Sequence, residues 1–218
     1  MNHRIKAILS LPKSIWVNFR YLPFRQAIKL PILVAYDVRF SAHMGGVILP
    51  EKVRFGMIHI GFFNIPVCNH DKTSIRIIGT LEFKGRAYFG RSSKVHIRKG
   101  ATMLLGDNFR VSSASSFNCY KSMIFGDNVL FAWDCLVMDS DGHSVIDEKC
   151  KPKINTKSVI IGNHVWIGCR SMILKGAVIP NNCVVGSMSF VTGENFEENT
   201  LIVGVPARSV KKISGWHE

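Results

Sequence analysis

A strict six-residue period in the C-terminal third constrains this chain more than any other feature. Ile161, Ile167, Ile173, Ile179, Val185 and Val191 are all aliphatic. The residue after each is often small or turn-forming (Gly162, Gly168, Pro180, Gly186, Thr192), and four residues on stand Val165, Ser171, Ala177, Cys183 and Ser189, all modest in volume. A period of six is neither the 3.6 of an α-helix nor a coiled-coil heptad. It fits a short strand, a tight corner and another strand, with one aliphatic side chain turned inward per corner. Three such faces make a coil of about 18 residues, and stacked coils form a parallel β-helix. Small residues at the second inward position suit the narrow interior of such a prism.

The middle of the chain repeats this pattern with slips of phase: Phe89-Gly90 and Val95, then Leu105-Gly106, Val111 and Phe117, then Phe125-Gly126, Phe131 and Val137. The first coils are expected within Met57 to Thr80. Between Val137 and Val159 the period disappears, so residues 138–158 are expected to leave the prism as an extruded loop, where function concentrates. The expected organisation is a basic, partly helical segment over 1–54, a β-helix over 55–212 and a short tail over 213–218. Because the end of a β-helix is an open strand edge, the N-terminal segment or the tail should cap it.

Composition sharpens this. The 218 residues carry 28 Lys and Arg against 15 Asp and Glu, and residues 1–54 hold nine of those basic residues against two acids. That stretch interleaves its charges with Ile8, Ile15, Trp16, Phe19 and Phe24. Two readings stay open: a solvated basic face whose apolar stripe packs on the body, or a segment lying on an anionic membrane surface. No nucleic-acid motif accompanies the charge. No apolar run reaches the ~18 residues of a membrane-spanning helix. Pro12 and Lys13 interrupt any signal-peptide core, so none is expected. Cys68, Cys119, Cys135, Cys150, Cys169 and Cys183 include no CxxC pair, which reads as reduced thiols in a cytoplasmic protein.

The run Ile161-Gly-Asn-His-Val-Trp166-Ile-Gly-Cys-Arg-Ser-Met-Ile-Leu-Lys-Gly-Ala-Val-Ile-Pro180, with Val185-Gly-Ser-Met-Ser-Phe-Val-Thr192 and Gly204-Val-Pro-Ala-Arg208, resembles the hexapeptide-repeat acyltransferases. The likeness spans roughly residues 75–212 and is greatest to the O-acetyltransferases of bacterial capsule, exopolysaccharide and lipopolysaccharide synthesis. It implies a left-handed parallel β-helix, a homotrimer with sites between subunits, acetyl-CoA as donor, a carbohydrate acceptor and a single His as general base. That base falls on His143, in Asp139-Ser-Asp-Gly-His-Ser144. A histidine suits the task because its ordinary pKa lies near working pH. Asp141 and Asp139 are the nearby carboxylates that could orient it. The resemblance further implies that Cys169 offers its amide beside the thioester and that Ser187 and Thr192 line the CoA groove. It implies that Lys211 meets the adenosine phosphates, with Arg208 or Lys212 making up for the Gly193 that stands where many relatives have Lys. Trp166 is expected to pack beside the CoA channel.

Other functions fit less well. A β-helical zinc enzyme of the carbonic anhydrase type would need His-x4-His, and no two of the eight histidines stand five apart, so no metal is expected. His164 should be a structural, outward side chain, and a nucleophilic Cys169 would lack a base. A non-catalytic scaffold is disfavoured by the joint presence of His143 and the groove motif. N-acetylation of an amino sugar or nucleotide sugar is the remaining enzymatic alternative; relatives of that kind commonly add an N-terminal nucleotide-binding unit, for which residues 1–54 lack the glycine-rich turn.

Overall fold

In the computed structural model, described over residues 3–41, 45–63, 71–144, 146, 155–193 and 196–217, the chain winds into a left-handed, three-faced parallel β-helix. The first face stacks β1 (Ile32–Val34), β4 (Ile58–Ile60), β7 (Ala87–Phe89), β10 (Phe109–Ser113), β13 (Leu130–Trp133), β16 (Trp166–Ile167), β19 (Val184–Val185) and β21 (Thr200–Gly204), then ends on the antiparallel β22 (Ala207–Lys212). The second stacks β2 (Arg39–Ser41), β5 (Ser74–Ile77), β8 (Lys94–Ile97), β11 (Ser116–Cys119), β14 (Leu136–Met138), β17 (Met172–Ile173) and β20 (Phe190–Val191). The third stacks β3 (Gly46–Ile48), β6 (Thr80–Phe83), β9 (Thr102–Leu105), β12 (Ser122–Phe125), β15 (Val159–Ile161) and β18 (Val178–Ile179).

The six hexad aliphatics from Ile161 to Val191 are buried, and so are the small residues Val165, Ser171, Ala177, Cys183 and Ser189. In the middle coils phenylalanines fill the prism instead. Phe109, Phe117, Phe125 and Phe131 are fully buried with ring centroids 5.1–6.1 Å apart in tilted and edge-on pairs, arrangements favoured by the ring quadrupole. The corner between the third and first faces carries a ladder that the hexad pattern does not announce. The amides of Asp107, Asp127 and Asn163 donate to the side-chain oxygens of Asp127, Asn163 and Asn181 in the next coil at 2.7, 2.7 and 2.8 Å. Each following residue (Asn108, Asn128, His164, Asn182) takes the left-handed backbone, which Asn tolerates better than most residues. The glycine before the ladder is forced: a Cβ on Gly106 or Gly126 would stand 2.4 Å from the next coil.

The first coil begins at Ile32, inside the segment read from sequence as a separate N-terminal unit and before the Met57–Thr80 stretch expected to start the prism. Its hexad is hidden because Val47 lies seven residues, not six, beyond Phe40. Ahead of it run α1 (His3–Tyr21) and α2 (Phe24–Ala27). As the open edge requires, α1 caps the first face. The amides of Ile32, Val34 and Tyr36 donate to Asn18 Oδ1, Ser14 Oγ and Ser10 Oγ at 3.1, 2.9 and 3.0 Å, and Asn18 Nδ2 returns a 2.7 Å bond to the Ile32 carbonyl. Three side chains spaced four apart lie on one helix face and thus stand in for the missing strand. At the other end Trp216 folds back, stacking on the His164 ring at 4.8 Å and donating to the His164 carbonyl at 2.9 Å. His164 is accordingly structural.

His59 makes a prediction of its own. Half-buried on β4 between Phe62 and Tyr88, it has its pKa lowered by burial. Below about pH 6.5 the unfolded chain takes up a proton that the folded chain refuses, so stability is present above that pH and lost as pH falls. Melting temperatures between pH 7.5 and 5 should fall in the wild type and fall less steeply in His59→Gln.

Candidate active site

The extruded loop leaves the prism after β14, at the corner between the second and third faces. Asp139 governs its stem. The side chain is fully buried, and its oxygens accept from the amides of Tyr120, Lys121 and Ser122 at 2.7, 2.7 and 2.8 Å. The Cys119 thiol faces the same carboxylate, and burial together with that charge pushes it up to about 12. Both stems are tied. The Asp141 amide donates to the Asn155 carbonyl at 3.0 Å, the Lys157 amide to the Asp139 carbonyl at 2.9 Å, and Ser140 pairs with Thr156 in an antiparallel bridge. Residues 145 and 147–154 of the loop lie outside the described residues.

The orienting role expected of Asp139 is therefore corrected: a buried carboxylate whose oxygens are spent on three backbone amides is a structural staple, not a partner for an imidazole. Asp141 forms an ion pair with Lys175, which follows β17. His143 itself is exposed just beyond Gly142, whose amide donates to Ser140 Oγ at 3.1 Å and whose φ of +76° turns the chain outward. Among the described residues no hydrogen bond reaches its ring. Thr192 lies on this same corner, after β20.

Cys169 and Ser187 occupy a different corner, between the first and second faces, where they sit one above the other with Sγ and Oγ 3.4 Å apart. The backbone there alternates between used and unused donors. The amides of Gly168 and Arg170 are bonded to the carbonyls of Val185 (2.7 Å) and Trp133 (3.0 Å), and those of Gly186 and Met188 to Ile202 (2.8 Å) and Cys169 (2.9 Å). Between them, the amides of Cys169 and Ser187 make no hydrogen bond among the described residues. A left-handed residue follows each, Arg170 and Met188, so two stacked N–H donors are available at one corner to a carbonyl-bearing ligand. Trp166 projects outward from β16 beside Trp216. Arg208 and Lys211 stand exposed on β22, and Lys211 lines a cleft of about 310 Å³ with Thr200, Ser209 and Lys212.

The predicted residues thus fall into two groups within one chain: His143, Asp141 and Thr192 at one corner, Cys169 and Ser187 at the other. The strand between them, Leu136 to Met138 with its flanking residues, spans about 13 Å at ~3.3 Å per residue. One prism does not bring the base to the amides. No group of three potential metal ligands occurs among the described residues. Sequence reasoning named the Cys169 amide but missed the Ser187 amide stacked with it and the Asp139 staple; the staple has no signature apart from an acid at a coil corner.

Comparison with known proteins agrees with this architecture. Residues 158–193 match the family described as bacterial transferase hexapeptide, six repeats. The chain is 29% identical over 149 residues, 64% of its length and 76% of the relative's, to a protein of Escherichia coli K12 named as a lipopolysaccharide biosynthesis O-acetyl transferase, WbbJ. It is 29% identical over 206 residues, 93% of its length and 88% of the relative's, to a 24.8 kDa protein in the cps region of Klebsiella pneumoniae. Among solved structures, the polySia-specific acetyltransferase NeuO shares the fold with a TM-score of 0.54 and 20% identity, over 85% of this chain and 74% of that one.

Proposed function

We propose that this chain, whose residues 158–193 match the bacterial hexapeptide transferases and whose relatives include proteins named as O-acetyltransferases, carries an acetyl group from acetyl-CoA to a sugar hydroxyl in the synthesis of surface polysaccharide, capsule or lipopolysaccharide. His143 takes the proton from the acceptor hydroxyl as its oxygen attacks the thioester carbonyl. The oxyanion that forms is met by the Cys169 amide, and the same proton then passes to the departing CoA thiolate. Transfer is direct, with no acyl-enzyme on Cys169. Ser187 and Thr192 hold the pantetheine arm, Trp166 packs beside it, and Arg208 and Lys211 receive the phosphates.

The observation that carries this reading is the pair of stacked amides of Cys169 and Ser187, which carry no hydrogen bond among the described residues, on a scaffold that also exposes one histidine on a stapled loop. Because the two lie on different corners of one prism, the working site needs a neighbour. A homotrimer of parallel prisms sets the His143 corner of one protomer against the Cys169 corner of the next. No helix among the described residues is long and apolar enough to cross a membrane. We place the enzyme in the cytoplasm, where acetyl-CoA is available, in peripheral contact with the inner membrane surface.

The test is release of free CoA from acetyl-CoA against a panel of neutral sugars, acidic glycans and amino sugars. A hydroxylamine-labile ester on the product supports O-acetylation. A stable amide would turn the assignment to N-acetylation, and absence of acetyl-CoA binding would end the transferase reading.

A further inference from the structure

The N-terminal helix is inside out. Its small polar residues, Ser10, Ser14 and Asn18, are buried against the prism, because only hydrogen-bonding side chains can satisfy the edge of β1. Val17 is buried in the core and Tyr21 packs against it, but the other large apolar residues described in the helix face outward. Ile8 is 71% exposed, Trp16 50% and Phe19 49%; Phe24 and Ile28, just beyond, are 70% and 54% exposed, and Ile15 lies on the same face. Of the two readings left open by the sequence, packing of the apolar stripe on the body thus holds for Val17, Leu22 and Ala27 but not for these exposed residues. Surface patches of this kind on a folded domain mark a partner.

The charge around the patch says which partner. The first 36 residues contain no acid and six basic residues, all in or beside the two helices; Lys13 is turned to the Tyr36 and Val38 carbonyls, which leaves Lys6, Arg20, Arg25 and Lys29 among those around the outer face. An apolar helix face whose own charged residues are all cations complements an anionic lipid surface, where apolar side chains enter the headgroup boundary and each nearby cation adds about 1 kcal/mol of attraction. A self-association surface has no need of uncompensated like charge, which repels between copies.

We infer that the outer face of α1 and α2 is a docking surface for an anionic phospholipid bilayer, deepening the peripheral contact proposed above. The capping bonds run from β1 to α1, so the apolar face looks away from the coils along the prism axis and the prism stands upright on the membrane. The His143 loop follows β14, the fifth strand of the second face. Four coil steps of ~4.8 Å hold it about 20 Å above the first coil. In a trimer of parallel prisms all three helices share one end and engage the bilayer together. The acceptor class this selects is a glycan carried on a membrane lipid, modified at a sugar some distance from its anchor.

The experiment is flotation of the full chain with vesicles of phosphatidylcholine alone and of phosphatidylcholine with phosphatidylglycerol, at low and high salt. The wild type should float with the anionic vesicles at low salt. Phe19→Ser/Phe24→Ser, and separately Arg20→Gln/Arg25→Gln, should weaken binding by roughly tenfold or more. Both variants should keep wild-type acetyl transfer to a soluble acceptor and the wild-type molar mass by light scattering. Wild-type protein left unbound by anionic vesicles, or variants that float as well as the wild type, would overturn the proposal. So would a variant of reduced molar mass, which would make the face a contact between copies. A protein that floats but transfers no acetyl group leaves the docking surface standing and removes the enzymatic reading.

Discussion

His143→Ala is expected to lower kcat for acetyl transfer by about 10²- to 10⁴-fold, the range typical of losing a general base. Little else should change. The ring is exposed and makes no hydrogen bond among the described residues, so the melting temperature should match the wild type. Acetyl-CoA affinity should also hold, because the proposed donor groove is built from the Cys169 and Ser187 corner rather than from the loop. Steady-state kinetics, a thermal melt and a calorimetric titration with acetyl-CoA separate these readouts. A variant that retains wild-type turnover would remove His143 as the base, whatever becomes of the fold.

Asp139→Ala should do the reverse, acting on stability first. The substitution strips the acceptor from three amides, two of them at 2.7 Å and one at 2.8 Å, in a place where the side chain is 0% exposed. Removing the shared acceptor breaks three charge-assisted bonds to part-buried donors and costs about 3 to 5 kcal/mol, or a fall in Tm on the order of 10 °C for a chain of this size. Asp139→Asn should recover only part of this loss. Its carboxamide still accepts through oxygen but turns an NH2 toward a backbone donor. Activity should fall along with loop order, yet acetyl-CoA binding at the other corner should survive in the folded fraction. Urea unfolding monitored by circular dichroism tests the first claim. A variant as stable as the wild type but catalytically dead would restore Asp139 to the chemistry and contradict the staple.

These two aspartates show where reading residues in order stops. Asp139 and Asp141 stand two apart and both precede His143, and nothing in their spacing separates a buried staple from a surface ion pair with Lys175. The difference lies in what the neighbouring coil presents. The amides of Tyr120 to Ser122 converge on the first carboxylate from the coil beneath, and Lys175 reaches the second from the coil above. The same holds for Ser10, Ser14 and Asn18. As a sequence they look like the polar stripe of an amphipathic helix whose apolar side should be buried. Their burial becomes intelligible only once the unpaired amides of Ile32, Val34 and Tyr36 are known to lie beside them.

What the sequence determined by itself was the winding. Inward residues recur every six positions because each corner and each face is built from consecutive residues, and a local repeat is visible without coordinates. The phase break after Val137 marked the loop for the same reason, while the part expected of His143 within it came from the family resemblance. The tertiary structure alone decided which corner each chemical group occupies, where the first coil starts and which way α1 turns. Those outcomes rest on hydrogen bonds between residues 14 to 36 positions apart, and a bond across such a distance leaves no period for a reader of the chain to find.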